Sequence, residues 1–271
     1  MKILITGAGG FLGSETVKAF REQDYEVVPV GRVEKSGMSG CDLGNPESLW
    51  QLLQVERPDV VVNCAAVVAL GEARLSALYP VNTLAPSIMS VWCSRHGAYL
   101  LHASTILVHG VRVELAHEGA PEAPDTGYGR SKLLADEAII AAGADAGIIR
   151  FGGIVGAKGP GHLWLNRASR GAMAGQIPTV VASGRARRNY LHVADAARML
   201  VHCVSKRVKG IHYAGGGENL SFRQMLELIC SVYLPGKTPI HQPGDEAADQ
   251  VVNTSPELPV SGPFVEVLRL D

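Results

Sequence analysis

The sequence predicts an α/β fold in which helices cover both faces of a parallel sheet, a doubly wound arrangement. Two observations lead to this prediction. Short apolar runs alternate with segments of helical periodicity as far as Phe151, and strands that alternate with helices form parallel sheets. The first run, Lys2 to Thr6, leads through glycines into a helical pattern from Phe11 to Phe20, which predicts a strand, a tight turn and a helix.

The later elements continue this alternation. Asn45 and Pro46 predict a helix start, because Asn caps free N–H groups and Pro fits the first helical position. The helix that starts there is predicted to end at 55, and two further helices are predicted over 84–95 and 128–142. The other predicted strands lie at 25–30, 60–63, 98–103 and 147–151. Beyond residue 151 the regularity weakens, and Gly and Pro cluster at 156–161 and 235–243. We therefore predict a main domain over 1–155 and a mainly substrate-binding lobe, interleaved with it, over 156–271.

The composition argues against several function classes. A chain of 271 residues that is 46% hydrophobic can bury a substantial core. Its net charge of -1 and lack of a basic run argue against nucleic acid or an anionic membrane as partner. Five scattered cysteines without zinc spacing predict reduced thiols and no metal site. No apolar stretch reaches the ~20 residues that span a bilayer, and no signal peptide is evident, so we expect a cytoplasmic protein.

The glycines after the first strand form a candidate phosphate-binding turn. Gly7, Gly10 and Gly13 enclose Phe11 and Leu12 where the strand leads into the helix. Glycines let backbone amides approach a pyrophosphate, and the helix amino terminus adds unpaired N–H groups and partial positive charge. The alternative is a plain strand-helix turn. In an alternating chain, the position after the first strand favours a Rossmann-type dinucleotide site.

The end of the second strand bears on the choice of dinucleotide. Val30-Gly31-Arg32 offers no acidic residue for the ribose hydroxyls that an NAD site would bind. Arg32 is placed instead for a 2′-phosphate, which a planar guanidinium recognises well, so NADP(H) is preferred and NAD(H) remains possible. An exposed surface Arg is the alternative. Asp42 and Leu43 are expected near the adenine, although Asp42 could equally be a turn residue.

Tyr128 and Lys132 lie four residues apart in a predicted helix and therefore share one of its faces. A phenol beside a fixed cation loses its proton more easily than one with the ordinary pKa near 10. Such a pair can act as an acid/base. A solvated helix face is the alternative for this spacing taken alone.

Five motifs appear along the chain in the order of a known family. They are Thr6-Gly7-x-x-Gly10-x-x-Gly13, Asp59-Val60-Val61-Val62-Asn63-Cys64-Ala65-Ala66, Ser104-Thr105, Tyr128-x-x-x-Lys132 and Arg188-Asn189-Tyr190-Leu191-His192-Val193-Ala194-Asp195. Together they resemble the extended short-chain dehydrogenase/reductases, in the epimerase/dehydratase branch and closest in pattern to the dTDP-4-dehydrorhamnose reductases. The resemblance implies a Rossmann domain with a small carboxy-terminal lobe that binds the substrate. The implied substrate is a small-molecule ketone, and a nucleotide-linked sugar is one candidate.

The resemblance also implies roles for individual residues. Thr105 matches the hydroxyl that binds the substrate carbonyl, and Tyr128 matches the proton donor. Lys132 matches the residue that lowers the tyrosine pKa and holds the nicotinamide ribose. Arg188 matches a position that pairs with a sugar-nucleotide phosphate, with a loop of solvated arginines as the alternative. Further cofactor contacts are implied for Ala65, Ala66, Asn82, Ser104 and Tyr128. Ser104 is also the alternative to Thr105.

The residues after Thr105 limit which reactions of the family this chain can catalyse. The family's dehydratases carry an Asp-Glu pair there, whereas this chain has Ile106-Leu107, which cannot transfer protons. Ketone reduction and 4-epimerisation with tightly bound NAD both remain open, because each needs only the Thr, Tyr and Lys set and the nicotinamide. From another class, a non-catalytic NADP-binding regulatory protein also remains open.

Several smaller expectations complete the sequence-based interpretation. His109 replaces an aromatic residue of the family, and packing or a local hydrogen bond is favoured over catalysis. Asp195 is expected to cap a helix over 196–205. Glu72 keeps only part of an acidic pattern of the rhamnose reductases, and His162 lies in the region where epimerase-reductases need a histidine. A homodimer is expected by analogy.

Overall fold

A seven-stranded sheet forms the centre of the protein, whose computed structural model describes residues 1–68, 75–161 and 163–268. The strands in these residues are β1 (Lys2–Thr6), β2 (Glu26–Gly31), β3 (Ser39–Gly40), β4 (Val60–Asn63), β5 (Tyr99–Thr105), β6 (Leu115–Ala116), β7 (Asp145–Phe151), β8 (Ile154–Val155), β9 (Thr179–Val181), β10 (Arg187–Arg188), β11 (Leu191–His192), β12 (Gly210–Ala214), β13 (Leu220–Ser221), β14 (Ile240–Gln242) and β15 (Val251–Val252). The central sheet has the order β3-β2-β1-β4-β5-β7-β12.

Every neighbouring pair of strands in this sheet is parallel. The predicted α/β class with a doubly wound Rossmann-type sheet is confirmed. The strand order reverses at β1, from which the chain first builds outward to β3 and then restarts on the other side at β4. In open α/β sheets, ligands bind beyond the carboxyl ends of the strands at such a reversal.

Helices cover both faces of the sheet. In the described residues they are α1 (Phe11–Arg21), α2 (Pro46–Glu56), α3 (Leu75–Tyr79), α4 (Ala85–His96), α5 (Gly127–Ala141), α6 (Trp164–Met173), α7 (Val193–Lys206), α8 (Phe222–Tyr233) and α9 (Phe264–Val267). Helices α1 and α7 pack together on one face, and α2, α4 and α5 pack on the other. None of these helices combines the length and the apolar composition that a membrane span requires.

The alternation of side chains along the strands divides the apolar core between the two faces. On β1, Ile3 and Ile5 join the cluster under α1 and α7, whereas Leu4 joins the cluster under α2 and α4. On β4, Val61 faces the same side as Leu4. These side chains are fully or almost fully buried, as expected for a parallel sheet covered on both faces. The continuous apolar runs in the sequence are thus explained by burial on both sides.

The carboxy-terminal half forms a smaller lobe with an apolar cluster of its own, which includes Leu165, Val180, Met225 and Ile229. Short strand pairs β9-β14 and β10-β13 belong to this half. Between β10 and β13 the chain returns to the main sheet. Helix α7 packs against that sheet, and β12 pairs with β7. The division of the chain at residue 155 stays a prediction, and the segments beyond it contribute to both parts of the molecule.

One helix start differs from the prediction. Helix α7 begins at Val193, where the His192 side chain accepts the first free N–H, from Ala194. The expectation that Asp195 caps this helix is therefore wrong: Asp195 lies inside the first turn and pairs with Arg198. A π-helical turn, Pro80–Leu84, precedes α4. It carries the buried Asn82 and Thr83, and π turns are frequent near functional sites.

Candidate active site

The glycine turn after β1 is built for close backbone approach. Gly7 has a φ of +68°, and a Cβ there would lie 2.7 Å from the backbone nitrogen of Ala65. A Cβ on Gly13 would lie 2.0 Å from the carbonyl oxygen of Gly7. Neither position accepts another residue without moving backbone, so the turn keeps an open cradle at the start of α1. That is the shape that a pyrophosphate requires.

A cavity of about 370 Å³ opens above this turn at the reversal of strand order. Seven residues expected to contact the cofactor line it: Gly7, Gly10, Arg32, Asp42, Leu43, Ala65 and Ala66. Arg32 is exposed and makes no ion pair with the residues that the structure describes. Lys35 and Met38, which no sequence motif indicated, also line the cavity. Lys35 adds a second cation to the part of the cavity that holds Arg32.

Not every expected cofactor contact lies in this cavity. The Asp42 carboxylate accepts the Gly44 N–H at 2.9 Å, so Asp42 is both a turn residue and a lining residue. Asn82 donates to the Val67 carbonyl at 2.9 Å and accepts the Val67 N–H at 2.7 Å, which fixes the segment after β4. Leu12 packs in the core under α1, and Phe11 lines a separate groove between α1 and α7. The structure therefore does not bring these two side chains into the cavity.

A glycine brings the start of α5 close to the end of β5. The Thr126 hydroxyl caps α5 by accepting the Gly129 N–H at 3.0 Å. A Cβ on Gly129 would lie 2.3 Å from the carbonyl oxygen of Leu107, in the short 3-10 turn that follows Thr105. Tyr128 is adjacent to this contact in the chain. The missing side chain of Gly129 thus lets the tyrosine approach the turn that begins at Thr105.

The two neighbouring hydroxyls at the end of β5 have different partners. The Ser104 hydroxyl donates to the Asp136 carboxylate at 2.9 Å and is buried. The Thr105 oxygen accepts the Leu107 N–H at 3.3 Å, which leaves the hydroxyl proton available to another acceptor. This difference favours Thr105 over Ser104 as the hydroxyl that meets a substrate oxygen.

Tyr128 does not have the lowered pKa that its spacing from Lys132 suggests. Burial raises the pKa of Tyr128 to about 12, and the charge of Asp136 acts in the same direction. The Lys132 amine instead lies 2.8 Å from His102 Nε2 and donates to the Ala103 carbonyl at 2.8 Å. The expected lowering is therefore reversed in this structure, because burial dominates and the lysine contacts other groups.

Lys132 itself is buried, and burial lowers its pKa to about 8. His102 lies fully buried in β5, between Lys132 on one side and Asn63 on the other. Burial and the neighbouring lysine hold the pKa of His102 well below its ordinary value, so the ring is neutral. His102 is a site residue that the sequence analysis did not identify.

A buried ion pair lies behind these residues. Asp136, one turn after Lys132 on α5, binds Arg150 of β7 with 3.0 Å between Oδ2 and Nε. Arg150 also donates to the Tyr213 hydroxyl at 2.8 Å, and His109 contacts the same hydroxyl at 3.0 Å. His109 thus has a local hydrogen bond within a buried network. The spacing of Tyr128, Lys132 and Asp136 along one helix face was the signal that could have identified the carboxylate.

With this geometry established, comparison with known proteins places the chain in a family. A protein-family model, described as the RmlD substrate-binding domain, matches residues 1–233. The chain belongs to the RmlD substrate-binding domain family. The resemblance to the extended short-chain dehydrogenase/reductases is confirmed by this match and by solved structures of the same fold.

Proteins named for reduction and proteins named for epimerisation are both similar to this RmlD-family chain. A dTDP-4-dehydrorhamnose reductase of Burkholderia thailandensis is 35% identical over 166 residues, which cover 60% of this chain and 53% of that protein. The chain therefore spans about half the length of this curated relative. A dTDP-4-dehydrorhamnose reductase structure from Bacillus anthracis, in complex with NADP, has a TM-score of 0.82 at 19% identity, covering 99% of this chain and 97% of that one.

A UDP-glucose 4-epimerase structure from Thermotoga maritima, with UDP-glucose, has a TM-score of 0.85 at 18% identity, with 100% and 97% of the two chains covered. At such identities these structures show the shared fold alone. The fold therefore does not separate reductase from epimerase, and the chemistry of this RmlD-family member must be argued from its site.

Arg188 is placed in the smaller lobe, on β10. Its guanidinium donates to the carbonyls of Arg187 and Ala248 at 2.7 and 2.8 Å and lies over the Phe222 ring, 5.0 Å from the centroid. Phe222 also lines a cavity of about 420 Å³ with Trp164 and Val180. The expected phosphate-binding arginine is thus held beside an aromatic pocket.

Glu72 and His162 lie outside the residues that the structure describes. In the described part of this RmlD-family chain, no group of three His, Cys, Asp or Glu side chains could hold a metal ion.

Proposed function

We propose that this protein is an NADP(H)-dependent ketoreductase whose substrate is a 4-keto-deoxysugar nucleotide. The observation that carries the proposal is the Thr105 hydroxyl, whose proton no described residue accepts, near the helix start that bears Tyr128 and at the same edge of the sheet as the glycine cradle. Membership of the RmlD family and the names of the relatives support the reaction class.

The residues around the cradle fit a dinucleotide. Gly7 and Gly13 leave backbone exposed where a Cβ would fill the space, and the start of α1 directs free N–H groups there. Arg32 and Lys35 would meet a 2′-phosphate, which favours NADP(H) over NAD(H). When bound, the nicotinamide supplies hydride to a carbonyl carbon.

The side chains at the end of β5 and the start of α5 complete the reduction. Charge develops on the carbonyl oxygen as its carbon is reduced, and hydroxyl donors aimed at that oxygen stabilise the transition state. Thr105 can donate its unengaged proton there, and Tyr128 can transfer its own proton as the acid. The raised pKa of Tyr128 keeps the phenol protonated at neutral pH, so the donor is ready before the substrate arrives.

Dehydration is disfavoured by the residues that follow Thr105. Ile106 is buried, and neither its side chain nor that of Leu107 carries a proton to transfer.

The smaller lobe supports a nucleotide-linked substrate, because Arg188 offers a cation for a phosphate beside an aromatic pocket. We also propose a cytoplasmic homodimer, in which the exposed Val91 of α4 and Ile140 of α5 would meet a second copy.

The test is Tyr128→Phe, assayed by NADPH oxidation with a panel of nucleotide-linked 4-keto sugars and smaller ketones. We expect a fall in kcat of about 10²–10⁴-fold, because proton transfer by one positioned group contributes about that factor. The dissociation constant for NADPH should be unchanged. Tyr79→Phe is the matched control, since Tyr79 is exposed, and it should keep wild-type activity. Full activity in Tyr128→Phe would contradict the proposal, and conversion to an epimer without net NADPH oxidation would assign the site to epimerisation.

A further inference from the structure

Four polar side chains form a row of hydrogen bonds that runs across the sheet to Lys132 of the candidate site. Thr6 of β1 bonds Asn63 of β4 at 2.6 Å, and Asn63 bonds His102 of β5 at 2.9 Å. His102 in turn lies 2.8 Å from the amine of Lys132 on α5. All four side chains are at most 1% exposed, so water does not compete for these contacts. The direction of each hydrogen bond is therefore set within the protein.

The direction of these hydrogen bonds follows from a neighbouring backbone N–H group, because such a group always donates. The Ala65 N–H points to Asn63 Oδ1 at 3.2 Å, and the Thr6 hydroxyl donates to the same oxygen. This identifies the amide atom on that side as oxygen, so the Asn63 NH₂ group faces His102 Nδ1. An NH₂ group only donates. His102 Nδ1 must accept, and the single proton of the neutral ring then sits on Nε2.

That assignment fixes the state of the lysine. The Nε2–H of His102 points at Lys132 Nζ across 2.8 Å. An ammonium has three donors and no lone pair, whereas a neutral amine can accept one hydrogen bond. In this contact Lys132 therefore accepts from His102 as the uncharged amine while it donates to the Ala103 carbonyl. Two donors would otherwise face each other in a buried contact.

The other titratable groups near Lys132 leave this arrangement in place. Asp136 follows it by one turn on α5, but the Asp136 charge is compensated by Arg150 of β7. Cys64, after β4, is held as the thiol because burial raises its pKa to about 12. Tyr128, one turn earlier on α5, is held as the phenol. The lowered pKa of Lys132, caused chiefly by burial, agrees with the direction of the hydrogen bonds.

We propose that His102 is a positioning residue that stabilises the uncharged amine form of Lys132 in the cofactor-free protein, and that dinucleotide binding draws Lys132 away from His102, with uptake of one proton from solvent wherever the free amine is uncharged. The second half rests on the proposed function and on the role that the resemblance implies for Lys132, which is to hold the nicotinamide ribose. Because the complex binds more protons than the free protein, dinucleotide affinity must fall as the pH rises through the titration of free Lys132. The fall reaches up to about tenfold per pH unit.

The first half is tested without cofactor by ¹³C NMR titration of the lysine side chains, with Lys132→Met to assign the signal. We expect Lys132 to titrate at about pH 8. In His102→Gln, an amide can turn its oxygen toward the amine, so the midpoint should rise by at least about one unit. His109→Gln is the matched control, because His109 is a buried histidine bonded to Pro121 and Tyr213, and it should leave the midpoint unchanged. An ordinary wild-type midpoint near 10.4 would overturn the proposal.

A second measurement needs no variant at His102. The ¹⁵N shifts of the ring in wild-type protein report which nitrogen carries the proton, and the proposal requires Nε2–H. A ring protonated on Nδ1 would overturn it, whatever the stability of His102→Gln.

The second half is tested by calorimetry of NADPH binding in two buffers of different ionisation enthalpy. Proton uptake should rise from pH 6.5 to pH 9 toward one per site, and Lys132→Met should abolish it. Uptake equal in wild type and Lys132→Met would overturn this half. Absence of NADPH binding would overturn both the proton uptake and the proposed function, whereas the cofactor-free titration and the ring shifts judge the contact between His102 and Lys132 alone.

Discussion

Replacing Arg150 with Met should destabilise the fold far more than the loss of an exposed ion pair. The side chains of Arg150 and Asp136 are 2% and 1% exposed, and Asp136 Oδ1 has no hydrogen-bond partner among the described residues. Without Arg150, the carboxylate keeps only the Ser104 hydroxyl. Breaking a buried pair from one side costs about 3–5 kcal/mol. Glu122, the other carboxylate on Arg150, is 38% exposed and adds little to this loss.

The same substitution should change the dependence of stability on pH. Burial already raises the pKa of Asp136 in the wild type, against the opposing charges of Arg150 and Lys132. Loss of Arg150 raises this pKa further, so the folded variant binds more protons than its unfolded chain. Its free energy of unfolding should therefore increase as the pH falls from about 7.5 to about 5, relative to the wild type.

The assay is equilibrium unfolding in urea, followed by tryptophan fluorescence at both pH values. Arg207→Met is the matched control, because Arg207 pairs with Asp145 at 2.5 Å but is 50% exposed, and it should cost below about 1 kcal/mol. The double variant Asp136→Asn with Arg150→Met removes the stranded charge and should recover stability. A stranded buried charge would be refuted if Arg150→Met costs no more than Arg207→Met, or if the double variant shows simple additivity.

Three further substitutions test the placement of the site. Gly129→Ala puts a Cβ 2.3 Å from the Leu107 carbonyl, so kcat should fall at least about tenfold while NADPH affinity holds; an unchanged kcat would show that the close approach does not position the tyrosine. Arg32→Ala should raise KM for NADPH at least about tenfold and leave KM for NADH unchanged, and an equal loss for both would exclude a 2′-phosphate contact. Arg188→Leu should raise KM for nucleotide-linked ketones but not for small ones, with the exposed Arg185→Leu as control, and equal effects on both substrate classes would contradict the phosphate role.

The sequence was sufficient for the main elements of the sheet because their signals are local. Val60 to Asn63 reads as a buried strand from its own composition, and the structure has β4 at the same residues. The Asn45 cap is equally local, and its side chain accepts the N–H groups of Glu47 and Ser48. The glycine turn could also be placed, because its spacing and its position after the first strand are both visible in the chain.

The contacts that set protonation could not be obtained in this way. His102 lies inside a predicted apolar strand, and its role depends on Asn63 of the neighbouring strand and on Lys132 of a helix thirty positions later. The spacing of Tyr128 and Lys132 indicates a charge nearby but gives no measure of burial, which decides the direction of the tyrosine pKa. Such properties depend on tertiary neighbours, which sequence periodicity does not specify.

The short pairing of β15 with β6 has a consequence for how a substrate enters. Val251 and Val252 lie parallel to β6, the short strand that follows the 3-10 turn after Thr105, and Asn189 bonds both the N–H and the carbonyl of Val252, at 2.9 and 2.8 Å. The same Asn189 donates to the Gly216 carbonyl at 3.2 Å. Asn189 thus joins β15, the loop after β12 and the segment before β11 at one buried point. We therefore expect these three segments to move together, and a substrate to enter through movement of other loops.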